Sequence, residues 1–188
     1  MIATMVNLHH TIFATIERLT SGWFVGLTAR LVFLAVLFFY FLNSAKTKVG
    51  DGIAGFFQIR SGAYFQILTE AGLANYDFDT DKVPFWGDLV VFLGTYSEFI
   101  LPALIVLGLF TRIAAIGMAI FVLVQSWVDI NFHGIDQATR GMLFDRDSAS
   151  LVMDQRTLWL FLLMVLAIKG AGAFSLDRLL AGWWSGRK

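Results

Sequence analysis

Arg30, Tyr96, Glu98 and Gln125 stand inside long apolar runs of this 188-residue chain, and their types suit chemistry in a membrane. A carboxylate can take and release a proton, a guanidinium can hold an anion or a carbonyl, and an amide both donates and accepts. If each run is a bilayer-crossing helix, Glu98 lies about 14 Å deep counted from Leu89, at 1.5 Å per residue. By the same rise Arg30 lies about 10 Å from the opposite face counted from Trp23, and Gln125 about 18 Å from that face counted from Ile113. In a hydrocarbon core of roughly 30 Å these levels nearly coincide, and an arginine side chain spans the difference. Arg30, Glu98 and Gln125 could then meet at mid-membrane, with Tyr96 a turn or less from Glu98. An isolated charge at a helix centre costs about 2.5–3.5 kcal/mol, so such groups pair inside a bundle. Two readings stay open. Arg30–Glu98 is a structural clamp, or the pair with Gln125 and Tyr96 binds the polar head of a quinone-like cofactor, with Glu98 as the catalytic group relaying its proton.

The elements that must position these residues follow from composition. The apolar set makes up 57% of the chain, mean hydropathy is +0.71, and there are 19 Phe and 6 Trp. That is too apolar for a soluble domain of this size and excludes disorder. Lys+Arg and Asp+Glu each number 14, so no basic face points to nucleic acid. Only 2 prolines occur, which favours helices, and the absence of Cys removes disulfides, Fe–S clusters, thiolate metal sites and c-type haem. The reading is all-α: a single domain over 1–188, an integral membrane four-helix bundle with interfacial amphipathic helices. Spans are placed at about 23–43, 88–110, 112–130 and 156–174, with outer loops 44–87 and 131–155. No His falls inside a span, so bis-His haem is not expected.

Thr111-Arg112 is the only break between spans two and three, so these form a tight hairpin. With the hairpin and both termini on one side, that side holds Arg18, Arg112, Arg178, Arg187 and Lys188. Residues 43–88 carry four basic and six acidic side chains, and residues 129–156 three and five. The positive-inside rule then places both termini in the cytoplasm. The first 20 residues lack the early basic region of a secretory signal. Leu8, Ile12, Ile16 and Leu19 recur at helical spacing, as in an amphipathic helix lying in the inner interface.

The first outer loop is too long to be structureless. Asp51 is expected to cap a helix presenting Ile53, Phe56 and Phe57, Ser61 to Gly72 reads as another helix, and 75–84 as an acidic turn. Lys46 and Lys48 read as markers of the outer interface. Asp177 reads as the cap of a short amphipathic C-terminal helix carrying Leu179, Leu180, Trp183 and Trp184. Arg112 reads either as a topology anchor or as a binder of an anionic head group or partner. Gly22–Gly26 and Ala115–Ala119 permit close helix contacts within the bundle or across a homodimer. His133 with Asp129 and Asp136 is the one weak candidate for an outer cation site, and no metal site is expected from it.

Leu93-Gly-Thr-Tyr-Ser-Glu98-Phe-Ile-Leu-Pro102, followed by Leu107-Gly-Leu-Phe-Thr-Arg112-Ile-Ala-Ala115, resembles the DoxX family. That family's pattern has a Glu, often with a Pro four residues on, then Gly-Leu-x-Thr-Arg at the cytoplasmic hairpin. Arg30 followed by Lys46 is similar to its first helix, and Gly170-Ala-Gly172-Ala-Phe-Ser175-Leu-Asp177 to its ending. Close family members often carry a His ahead of span four, where this chain reads Asp154-Gln155-Arg156-Thr157, and His133 is the residue that could substitute. The resemblance implies a four-helix bacterial inner-membrane protein linked to redox chemistry, with an oxidoreductase subunit using quinone as one model. Its expected partners are membrane lipids and a redox or metal-handling protein. The alternative is a non-catalytic anchor or small-solute passage supporting a partner enzyme, for example in copper-peptide or thiol metabolism.

Overall fold

The computed structural model describes residues 2–185. Four helices are long and apolar enough to cross a membrane: α2 (Phe24–Lys46), α4 (Phe85–Leu107), α5 (Thr111–Asn131) and α6 (Leu151–Lys169). They pack in a ring in which each span touches both neighbours, α5 most extensively against α4 and α6. The protein is thus a multi-pass, all-α membrane protein. Helices suit this setting because they satisfy every backbone polar group within the segment.

Along α2 the buried side chains Phe33, Leu37, Phe41 and Ala45 recur every four residues. In a helix of 3.6 residues per turn that spacing drifts around the axis, and a single π turn at Leu34–Phe38 absorbs part of the drift. Phe33, Leu37 and Phe41 meet Ile105 of α4, Ala115, Met118 and Val122 of α5, and Trp159, Leu163 and Leu166 of α6 in one core. Buried positions on α4 are Val91, Thr95, Glu98, Pro102 and Ile105, a stripe at helical spacing that carries the carboxylate inward. Pro102 has no N–H, so the Glu98 carbonyl four residues earlier loses its helical partner.

The fourth span differs from the sequence reading of 156–174. It starts at Leu151, in a π turn capped by the Ser150 hydroxyl, and stops at Lys169. Gly170, Gly172 and Phe174 all have positive φ, which no helix can accommodate. The chain here turns under α2, where a Cβ on Gly26 would run into the Gly170 carbonyl. Gly26 therefore serves a contact inside the bundle, and Ala115 is likewise buried there.

Asp177 does not cap its own helix, α7 (Leu176–Ser185). Its carboxylate accepts from the backbone N–H groups of Phe110 at 2.6 Å and Thr111 at 3.0 Å, capping α5 across the hairpin. The local cap is the Ser175 hydroxyl, which accepts from the Arg178 N–H at 3.3 Å. The N-terminal helix α1 (Ile2–Thr20) buries none of its residues, and its apolar stripe is open to the surroundings.

At the other end, an antiparallel bridge between Val49 and Ile59 closes a small loop around the turn Gly52–Gly55. Asp51 makes no cap there and instead holds Arg60 at 2.7 Å. Ile53 and Phe57 are exposed, whereas Phe56 packs on Tyr96 and Phe99 of α4. Helix α3 (Ser61–Ile67) packs along α4, and the Tyr64 hydroxyl donates to Asp88 at 2.9 Å.

Candidate functional site

Glu98 pairs with Lys48. The ammonium lies 2.8 Å from the Glu98 Oε2, and the two side chains are only 5% and 4% exposed. Lys48 reaches the site by folding back along the end of α2, donating also to the Ser44 hydroxyl at 2.9 Å and its carbonyl at 3.3 Å. It is a buried partner rather than a marker of the outer interface. Nothing in its local sequence distinguishes it from Lys46, and the signal that could have found it is the need of Glu98 for a cation near its own level.

Arg30 lies elsewhere. Its Nε donates to the Ile105 carbonyl and its Nη2 to Val106, while Nη1 faces the carbonyls of Ala171, Ala173 and Phe174 at 3.1–3.3 Å. The guanidinium therefore caps the C-terminal end of α4, where carbonyls lack helical partners, and pins the 170–174 turn beneath it. The expected Arg30–Glu98 pair fails because helical side chains lean toward their own N-terminus. Since α2 and α4 run in opposite directions, Arg30 leans toward the hairpin and Glu98 leans away from it. Counting residues in from each face fixes the heights of the Cα atoms and misses this divergence.

Gln125 does join Glu98. Both line a cavity of about 590 Å³ between α4 and α5, with Ser44, Lys48, Ser97 and Gln66 as further polar neighbours. Leu93, Ile120, Phe121 and Val124 contribute apolar wall, and Gly94 and Gly117 leave room between the helices. The Gln125 side-chain oxygen is buried without a hydrogen-bond partner. Tyr96 is not part of this lining: its hydroxyl donates to the Phe56 carbonyl at 2.7 Å, and it anchors the 49–59 loop.

The same cavity reaches Asp129 and His133 at the long-loop end. Asp129 is shared between two partners, the His133 Nδ1 at 2.7 Å and the Arg156 guanidinium at 2.6 Å. Arg156, only 2% exposed, also donates to the Ser126 hydroxyl at 3.2 Å. Sequence reasoning missed Arg156 as a site residue because it placed the residue at the very start of span four, whereas the span begins at Leu151 and carries Arg156 inside the bundle. Asp136 is engaged in capping, accepting from the Thr139 N–H at 2.7 Å. Asp129, His133 and Asp136 therefore do not converge on a cation position, and no cluster of three metal-ligating side chains occurs among the described residues.

The DoxX family model matches residues 25–129, more than half of the chain. The chain belongs to the DoxX family. The matched segment carries Arg30, Lys48, Glu98 and Gln125 and ends at Asp129, so it covers most of three spans and all of the α4–α5 cavity lining except His133. No curated protein and no solved structure matches the chain. Within this DoxX-family protein the cavity combines one buried ion pair, one unpaired amide oxygen and an apolar wall. Such an arrangement can hold a flat apolar molecule with polar edges, and its volume lies in the range of small-molecule sites.

Proposed function

We propose that this DoxX-family protein is the membrane subunit of a redox system and binds a quinone head in the α4–α5 cavity. The observation that carries the reading is the buried Lys48–Glu98 pair set in the wall of an otherwise largely apolar cavity of about 590 Å³. A bound quinone supplies reversible two-electron chemistry coupled to two protons. Gln125 would hold the head, its amide N–H able to donate to a carbonyl oxygen and its buried, unpaired oxygen able to accept from a hydroxyl. Glu98 accepts or releases the proton at its carboxylate, and Lys48 keeps that carboxylate oriented and charge-balanced. The Asp129–His133 pair at the rim returns the proton to water. Electrons come from a partner protein, a redox or metal-handling enzyme, since the chain has no Cys and no His within its spans. The protein sits in a bacterial inner membrane with both termini in the cytoplasm.

The test is mass spectrometry of lipophilic molecules extracted from the purified protein, beside Glu98→Gln and Gln125→Leu. Near-stoichiometric quinone in the wild type, lost from the folded, monodisperse fraction of both variants, is the expected result, with a lower yield for Glu98→Gln because it strands the Lys48 charge. Wild-type protein without quinone, in membranes that contain it, overturns the reading and leaves Lys48–Glu98 as a structural clamp.

A further inference from the structure

At the hairpin end of the bundle a second cavity of about 440 Å³ opens between the start of α5, the end of α6 and the start of α7. Three cationic side chains from three different helices line it: Arg112 of α5, Lys169 of α6 and Arg178 of α7. Among the described residues none of the three has a side-chain hydrogen bond or ion pair. Asp177 also lines the cavity, but both its oxygens are held by the backbone N–H groups of Phe110 and Thr111. Its charge further falls in the field of the buried Arg30, which has carbonyl partners only. Asp177 is thus shared with Arg30, and among the described residues the cavity lining carries three cations against this one carboxylate.

The position of Arg112 is built into the backbone. Gly170 sits at φ 76° and ψ −165°, a region open essentially to glycine alone. The Arg112 Nε lies 3.2 Å from where a Gly170 Cβ would be, so its side chain rests flat on the glycine. Exposed apolar side chains adjoin the cations: Phe110 and Ile113 in the cavity wall, with Phe174 and the Leu179–Leu180 and Trp183–Trp184 pairs nearby in sequence. A water-soluble anion would have no use for that apolar surround, whereas an amphiphile needs both halves.

We infer that this cavity is a binding site for the phosphodiester of an anionic glycerophospholipid, with its acyl chains lying along the exposed apolar side chains. Arg112 and Arg178 provide forked donors that match phosphate oxygens, and Lys169 a third positive charge. The site is independent of the α4–α5 cavity and of any quinone.

The experiment uses the full-length protein in a zwitterionic detergent, titrated with dioctanoyl phosphatidylglycerol, dioctanoyl phosphatidylcholine or inorganic phosphate. Wild-type protein binds the phosphatidylglycerol at least several-fold tighter than the phosphatidylcholine. The Arg112→Gln/Arg178→Gln variant loses about 25-fold, the product of two single-charge effects of about fivefold each. Arg112→Lys/Arg178→Lys, which keeps the charges and loses the forks, falls between wild type and that variant, and Arg146→Gln, an exposed cation at the long-loop end, leaves the affinity unchanged. Should the double glutamine variant lose its helicity, Lys169→Gln alone reads the same site and loses about fivefold. Equal affinity for the two lipids, or binding that survives loss of the cations, overturns the inference. Inorganic phosphate binding as tightly as phosphatidylglycerol also overturns it and makes the cavity a soluble-anion site.

Discussion

Lys48 and Glu98 sit 50 residues apart on opposite sides of the first long loop, and their 2.8 Å contact forms because Lys48 folds back over Ser44 at the end of α2. The contact ties the start of that loop to the middle of α4 and leaves one wall of the α4–α5 cavity charged. Removing one partner strands a charge in an apolar setting, which costs about 3–5 kcal/mol, whereas removing both is often nearly neutral. Lys48→Met is therefore expected to lower thermal stability in detergent sharply, and Lys48→Met/Glu98→Leu to recover most of the loss. Quinone content separates the two roles of the pair: under the proposed function the double variant is stable and empty.

Arg30 is expected to behave as a fastener with no part in ligand binding. Its guanidinium serves five backbone carbonyls, and a lysine has three donors. Arg30→Lys leaves at least two of these carbonyls without that partner, at about 1–3 kcal/mol for each that remains buried and unsatisfied. Size-exclusion profiles and melting curves should show a large drop in folded yield. The protein that does fold should keep its extracted ligand, in contrast to Glu98→Gln.

Much of this architecture was legible in the sequence because the bilayer reduces folding to a count of apolar residues. The four spans, the hairpin at Thr111 and the amphipathic ends all follow from run length and periodicity. The placement of Glu98 and Gln125 on one cavity was also legible, since both heights could be counted. The partner of Glu98 was not, because Lys48 lies beyond the end of its helix and reaches the site only by folding back. Arg30 was misplaced for a related reason: side-chain lean is opposite in antiparallel helices, and a height count ignores it. The end of span four was misread because Gly170 and Gly172 look tolerable in an apolar run, while the structure uses their positive φ to turn the chain under Gly26.

Arg156 carries a second test of buried charge. Its partner Asp129 holds it at 2.6 Å, and the guanidinium is almost wholly buried. Asp129→Asn is expected to cost several kcal/mol by leaving that cation uncompensated, roughly the 3–5 kcal/mol range of broken buried pairs. His133→Gln removes a partly exposed contact and should cost under about 1 kcal/mol. Thermal melts of the two variants, run in the same detergent, check the contrast, and equal destabilisation would contradict it.

The docking of α3 on α4 has a pH signature. Burial, followed by the hydrogen bond to Asp88 and the charges of Asp88 and Asp81, pushes the Tyr64 phenol from 10.0 up to about 12. The folded state then keeps a proton that the unfolded state releases, so this contribution is whole below pH 10 and fades as pH rises through about 12. Tyrosinate absorbance should lose a step near pH 12, and not near pH 10, in Tyr64→Phe. The same variant should show a smaller loss of α3 protection in hydrogen exchange on going to high pH.

Orientation can be read cleanly because the chain has no cysteine of its own. The end of the bundle that carries the hairpin also gathers Arg18, Arg112, Lys169 and Arg178, and basic residues favour the cytoplasmic side. Ser21 lies exposed at that end, just before α2, and Ser148 lies exposed in the loop that leads into α6. In intact cells a membrane-impermeant maleimide should modify Ser148→Cys and leave Ser21→Cys untouched until the membrane is permeabilised. The reverse pattern would place the Arg112 cavity outside, facing a leaflet that lacks the cytoplasmic negative surface potential, and would turn the His133 rim of the larger cavity toward the cytoplasm.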